Sequence, residues 1–190
     1  MSGALQKAHG QGALVFNPDN GHYYGPVYGS YSWPNARDLA AGMTYLNFQG
    51  HLATITSPGE QNFVTRSVYR AYFQESLGEA TSDWVWLGGY QPSGSQEPAD
   101  GWSWVTGESF DFSNWGVGQP SDSGGNPNGV HQDFLMMWYH GFWNDASGPG
   151  FGGADLSGFI VEYEPVPEPG GLVLATLGLL LFGLRHRHKS

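Results

Sequence analysis

Cysteine is absent from all 190 residues. That excludes disulfide frameworks, thiolate-zinc sites and cysteine nucleophiles together. Basic residues are nearly as scarce: only Lys7, Arg37, Arg66 and Arg70 offset 17 acidic residues up to Glu168, a formal balance of −13. A body so acidic has no footprint for phosphate backbones, which are bound through Lys and Arg, so nucleic acid is not an expected partner. A hydrophobic run of full spanning length is also missing. The longest, residues 171–184 (GLVLATLGLLLFGL), falls short of the roughly 20 residues that cross a bilayer as a helix. No HExxH, GxSxG or Walker loop occurs, nor a spaced carboxylate pair in a recognisable context, so an enzyme is not expected.

Aromatic residues are what the chain has in quantity. With 8 Trp, 10 Tyr and 11 Phe, and charged residues at only 13%, the body is built around a core and is not a disordered chain. Thirty glycines without a collagen period point to many turns and long shaped loops. The length fits one domain plus appendages.

Residues 13–16 and 22–24 read as short strands around an Asn-Pro-Asp-Asn-Gly turn. A first helix follows Ser32, with Pro34 in its opening turn, and is expected to end near Asn47. Ser57-Pro58-Gly59-Glu60 fits a capping box for a second helix over about 58–75, with Phe63, Val64, Val68, Ala71 and Tyr72 on its apolar face. The period then changes: residues 84–89, 102–105, 134–138 and 158–163 read as strands, with long polar loops at 106–131 and 144–157 between them.

Trp33 with Ala36-Arg37, Gly50-His51-Leu52-Ala53-Thr54-Ile55-Thr56-Ser57 with Glu60, Trp86-Leu87-Gly88, Trp102-Ser103-Trp104, Phe112-Ser113-Asn114-Trp115, Gly118-Gln119-Pro120, Trp143-Asn144-Asp145 and Gly158-Phe159-Ile160-Val161-Glu162 occur in this order. In these eight segments the chain resembles a C-type lectin-like domain over residues 13–164. The resemblance implies an α+β, double-loop fold with two helices plus antiparallel sheets, paired terminal strands and a binding site on the upper loops. The family's disulfides would join positions near Ala40 and Val161, and near Phe134 and residues 147–148; packing has to replace them here.

In sugar-binding members of that family a calcium ion, held by side-chain oxygens, accepts two vicinal sugar hydroxyls. Carried over, the calcium ligands are Gln119, Asn144 and Asp145, with Gln132 or Asp133 in the acidic position. Ser121 stands where the family triplet has Asn or Asp, and Asp122 is the adjacent substitute. Gln119 resembles the galactose-type variant. Gln119, Asn144 and Asp145 are then sugar contacts as well, joined by Trp138 and His140 as a surface for a sugar ring. Asn144 and Asp145 also read as loop-turning residues that need no metal. Trp86, Trp102, Trp104 and Trp115 read as core, His51 as a packing residue, and His131 as a flank of the site.

The C-terminus has a second resemblance. Pro167-Glu168-Pro169, then the apolar residues 171–184, then Arg185-His186-Arg187-His188-Lys189 are similar to the PEP-CTERM sorting anchor of Gram-negative, exopolysaccharide-producing bacteria. This implies a Pro/Gly linker at 165–170, a separate hydrophobic C-terminal helix within an anchor at 171–190, membrane attachment, and recognition by an exosortase. The expected location is the cell surface or extracellular matrix. Residues 1–20 contain no apolar run of export-signal length, so export is read from the C-terminal end; either the start lies further upstream or a signal has been lost. The expected function is a surface-anchored binding protein for carbohydrate, such as exopolysaccharide. The alternative is a structural or adhesive matrix protein that uses the fold for protein contacts without calcium or sugar.

Overall fold

The structure, a computed structural model, describes residues 10–74, 84–96, 98–123, 131–148 and 156–165. The sorting motif and the apolar C-terminal stretch lie outside the described residues. Among the described residues no helix is long and apolar enough to cross a membrane.

Two strands rich in aromatic and aliphatic residues bring the ends of the domain together. Strand β3 (Tyr23–Tyr31) pairs antiparallel with β10 (Leu156–Tyr163), from Tyr23 opposite Tyr163 to Tyr31 opposite Leu156. The short β1 (Gly10–Gln11) and β2 (Val15–Phe16) both pair with β3. On its other side β10 meets β5 (Phe48–Leu52) antiparallel and β6 (Val85–Tyr90) parallel, at Phe159 opposite Trp86. The main path is completed by β8 (Phe134–Trp138) and β9 (Phe142–Ala146), with β7 (Ser103–Trp104) beside β6. The sheet is therefore mixed, where antiparallel pairing alone was expected. The last strand slots between the first long strand and β6, and it runs the same way as β6.

Gly158 is the tight point of this arrangement. A Cβ there would stand 2.2 Å from the Val27 carbonyl oxygen and 3.1 Å from the Phe73 ring. Gly158→Ala is expected to force β3 and β10 apart and cost about 2 kcal/mol. The urea midpoint reads this directly, and an unchanged midpoint would show that the strands can separate freely.

Helix α1 (Trp33–Gly42) carries Pro34 in its first turn, but Ser32 contributes only its carbonyl, to the Ala36 N–H at 2.9 Å, and no side-chain cap. The helix stops before Asn47 because Leu46 and Asn47, at φ 49° and 67°, form the two-residue turn joining β4 (Thr44–Tyr45) to β5. Two successive residues with positive φ suit a hairpin, not a helix. Helix α2 (Pro58–Val64) begins as the capping motif requires, with Ser57 Oγ accepting from Glu60 N–H. It continues as π-helical turns over Thr65–Gln74. Along their wider i→i+5 repeat, Tyr69 and Phe73 are buried beside Val64 and Val68, Phe63 and Tyr72 pack half-buried against the same cluster, and Ala71 alone of the expected face is exposed.

Two aromatic clusters form the core. One gathers Trp102, Trp104, Trp143, Tyr69 and Phe73; the other gathers Trp33, Trp86, Phe159 and Tyr163. Trp115 is half-buried against the first. The expected disulfide positions are filled by packing: Ala40 and Val161 are buried in one cluster, and Gly148 lies against the Phe134 ring. The indole nitrogens of Trp33, Trp86 and Trp143 donate to Leu87 O, Tyr31 O and Gln61 Oε1 at 2.7–2.8 Å, so these large side chains are buried without an orphaned donor.

One expectation fails outright. Residues 144–146 are not loop but part of β9, where Asn144 and Asp145 face Met136 and Leu135. Trp143 anchors the strand, and pairing with β8 overrides the turn preference of Asn and Asp.

Candidate functional site

The polar loop after β7 is tied to β9 by backbone bonds. Trp143 N–H donates to Asn114 O and Gly116 N–H to Trp143 O, both at 2.9 Å, and Gln119 N–H closes a turn on Gly116 O at 3.0 Å. These bonds deliver Gln119, cis-Pro120 and Ser121 to the side of Asn144 and Asp145. Asp145 Oδ2 then accepts from the backbone N–H of Ser121 at 2.9 Å and of Asp122 at 2.6 Å.

Asp122, at φ 44°, extends the network. Its Oδ1 accepts from Gln132 N–H at 2.9 Å and its Oδ2 lies 2.8 Å from His131 Nδ1. The structure thus gathers Gln119, Ser121, Asp122, Gln132, Asn144 and Asp145. Asp133 sits at the entrance to β8, its carbonyl accepting from Gln91 N–H. Trp138 flanks the turn, its Nε1 lying 3.2 Å from where a Cβ on Gly116 would stand. His140 is separated from the rest. It occupies the tip of the β8–β9 hairpin at φ 61° with its ring against Tyr139, in the turn that precedes β9 and five residues before Asp145.

Three buried oxygens in this cluster have no hydrogen-bond donor: Gln119 Oε1, Asn144 Oδ1 and Asp145 Oδ1. An orphaned buried acceptor costs about 1–3 kcal/mol, and amide and carboxylate oxygens of this kind are the donors a hard cation prefers. Burial pushes the Asp145 carboxyl above its usual range despite the two N–H donors, and the Asp122 carboxylate adds to the rise. A bound cation would reverse that. The remaining candidates are already engaged: Ser121 Oγ pairs with Ser123 Oγ at 2.7 Å, and both Asp122 oxygens are used. The residues therefore fit calcium with a low carboxylate count, which means weak affinity.

A second polar cluster, which motif reading missed, joins β10 to β3 and α2. Glu162, 1% exposed, accepts from Thr54 N–H at 2.8 Å and from Tyr24 O–H at 2.7 Å, and lies 2.7 Å from His22 Nδ1. Tyr24 also contacts Glu60, whose other oxygen accepts from Thr56 N–H at 2.8 Å. His51 Nε2 stands 3.3 Å from Glu164. His22, Thr54, Thr56, Glu60, Glu162 and Glu164 border a cavity of about 160 Å³, and His22, Glu162 and Glu164 bring one ligand atom each within 4.8 Å of one another. Burial drives the Glu162 carboxyl upward. His51 is lowered by burial but raised further by Glu164 and Glu162, to about 9. The available signal was Glu162 itself, a charge in the otherwise apolar run Phe159-Ile160-Val161-Glu162-Tyr163.

Comparison with known proteins follows the same lines. Residues 30–148 match the Lectin C-type domain. Halomucin of Haloquadratum walsbyi is 31% identical over 157 residues, covering 73% of this chain and 2% of that protein. C-type lectin domain family 4 member G of Mus musculus is 32% identical over 116 residues, covering 60% of this chain and 31% of the relative. The chain thus spans a third or less of the length of these relatives. Among solved structures, the carbohydrate-recognition domain of cow CD23, crystallised in the presence of a GlcNAc2Man3 oligosaccharide, superposes with a TM-score of 0.57 at 24% identity, covering 82% of this chain and 95% of that one. The lectin CEL-I from Cucumaria echinata gives 0.59 at 19% identity, covering 79% and 94%. With more than half of its length matched by the family's sequence pattern, and with the same fold, the chain belongs to the C-type lectin domain family.

Proposed function

We propose that this protein is a carbohydrate-binding module in which Gln119, Asn144 and Asp145 hold a calcium ion. The carrying observation is that Gln119 Oε1, on the loop beside β9, and Asn144 Oδ1 and Asp145 Oδ1, on β9, are buried oxygens without a donor. When bound, calcium supplies a centre of positive charge for a pair of sugar hydroxyls. The amides of Gln119 and Asn144 orient those hydroxyls, and Gln119 in the first triplet position favours galactose-type sugars. Asp145, fixed by the backbone of Ser121 and Asp122, holds the loop in register for both tasks. Residues 13–164 form this module, 165–170 a linker, and 171–190 an anchor that an exosortase recognises through Pro167, Glu168 and Pro169 before display at the surface of a Gram-negative cell.

Thermal unfolding of the full chain in EDTA and in millimolar calcium tests the reading. A ligand that binds only the folded state adds RT ln(1 + [L]/Kd), about 1.4 kcal/mol at the tenfold excess that millimolar calcium gives over a weak site of about 10⁻⁴ M. That corresponds to a rise of about 3–6 °C at this size. The rise is expected to vanish in Asp145→Asn. No rise in the unaltered chain would sink the calcium site. The engagement of Ser121 and Asp122 with Ser123 and His131 would then favour the second reading, an adhesive domain that contacts protein.

A further inference from the structure

A third polar and aromatic constellation lies away from both clusters. A surface cavity of about 360 Å³, within the size range of small-molecule sites, is walled by Trp33, Tyr90 and Phe134, with Arg37 and Gln91 also in its lining. None of Gln119, Ser121, Asp122, Asn144 and Asp145 is in its lining, so this cavity does not share the calcium cluster.

Its parts are chemically specific. Trp33 stacks on Phe134 with ring centroids 4.5 Å apart and meets Tyr90 at 5.7 Å, which fixes a rigid apolar wall. The Arg37 guanidinium is held over Trp33, its Cζ 5.6 Å from the ring centroid. Asp38 engages only the Nε and Nη2 side of the fork, so donors of the planar guanidinium remain for a carboxylate. In a body of formal charge −13 there are just four cations up to Glu168, and one of them stands at this cavity. Gln91, 4% exposed, gives its Nε2 to the carbonyls of Asp100 at 2.7 Å and Pro98 at 3.3 Å. Carbonyls only accept, so the amide cannot be turned round. Its Oε1 is left buried without a donor.

An apolar wall, a cation and an unsatisfied acceptor ask for a ring that carries an anionic group and a hydroxyl. We propose that this cavity binds a hexuronic acid unit, its ring face on the aromatic wall, its carboxylate on Arg37 and a hydroxyl donated to Gln91. The choice of a sugar ring rests on the carbohydrate reading of the domain; the site itself needs no metal. A neutral hexose leaves Arg37 without an anion, and a charge-assisted pair is about twice as strong as a neutral hydrogen bond.

The test is a titration of the 15N-labelled full chain in EDTA, which silences any calcium site. Galacturonate, galactose and 4-hydroxybenzoate are compared by the Trp33 indole, Arg37 Nε–H and Gln91 amide resonances. Galacturonate is expected to give saturable shifts at all three, with a midpoint at least about tenfold lower than that of galactose. Arg37→Gln, a change at a half-exposed position, is expected to raise the galacturonate midpoint to that of galactose while the Trp33 indole signal stays in place. Equal affinities for the two sugars, tighter binding of 4-hydroxybenzoate, shifts confined to Asn144 and Asp145, or no saturable shift would each overturn the proposal. A lost calcium response with an intact galacturonate response would reject the calcium site alone.

Discussion

Trp143→Ala is expected to destabilise the domain by about 3–5 kcal/mol, a large share of the 5–15 kcal/mol typical of a folded domain. The side chain is fully buried and meets four rings edge-on: Trp104, Phe110, Phe112 and Trp115, with centroids 5.6–6.0 Å away. Alanine removes all four contacts and leaves a cavity that rigid neighbouring rings cannot close. It also orphans Gln61 Oε1, which now accepts the indole N–H at 2.8 Å. The melting temperature should fall by about 10 °C or more, with the near-ultraviolet circular dichroism of the aromatic cluster reduced. Trp143→Phe keeps most of the packing and should recover more than half of the loss. A cost below 1 kcal/mol for the alanine variant would mean that the cluster repacks and that Trp143 is not its centre.

The same residue ties the core to the site, since Asn144 and Asp145 follow it on β9. Trp143→Ala should therefore also blunt the calcium response, although no ligand atom is removed. Destabilisation with an unchanged calcium response would place the loop's rigidity in the backbone bonds to Asn114 and Gly116.

What the sequence made legible was local. The capping motif at Ser57, the strand periods and the ordered Trp-bearing segments are read within a few residues of each other, and they place both helices and six of the strands. Asn144, Asp145 and Gln119 were legible as candidates because their order follows a family pattern. Other features depend on what lies across the sheet. Asn144 and Asp145 favour turns in isolation, and only pairing with Leu135 and Met136 makes them strand. His140 is near Trp143 in sequence, yet the hairpin carries it to the far tip. His22 and Glu162 are separated by 140 residues, and nothing in their flanking sequence signals that β3 and β10 bring them to 2.7 Å. The parallel contact of β10 with β6 is likewise a property of the order of strands and not of any one strand. Gln91 reads as an ordinary polar residue after a strand until its amide is seen held by two carbonyls.

The acidic cluster at Glu162 carries the other large prediction. Glu162→Ala removes a carboxylate that is 1% exposed and strands Thr54 N–H and His22, while Tyr24 O–H keeps Glu60; breaking such a buried charged network typically costs about 3–5 kcal/mol. Glu162→Gln keeps an acceptor for Thr54 and should cost much less. The cluster also shapes the pH profile. His51 rises from 6.5 to about 9 on folding, so the native state binds more protons than the unfolded chain between those values. Its contribution is complete below pH 6.5 and is lost as pH rises to 9, at most about 3 kcal/mol. Glu162, raised by burial, acts in the same direction from pH 4.5 upward. Glu164, lowered by its pairing with His51, acts in the opposite sense and loses its contribution as pH falls below 4.5. Stability measured by urea unfolding in EDTA should therefore peak between about pH 4.5 and 6.5 and decline towards pH 9. In His51→Gln the decline between 6.5 and 9 should become shallower without vanishing, because His22, raised above 6.5 by its hydrogen bond to Glu162, still loses its proton there. An equal decline in both proteins would assign the alkaline loss to the general excess of negative charge and remove His51 from the account.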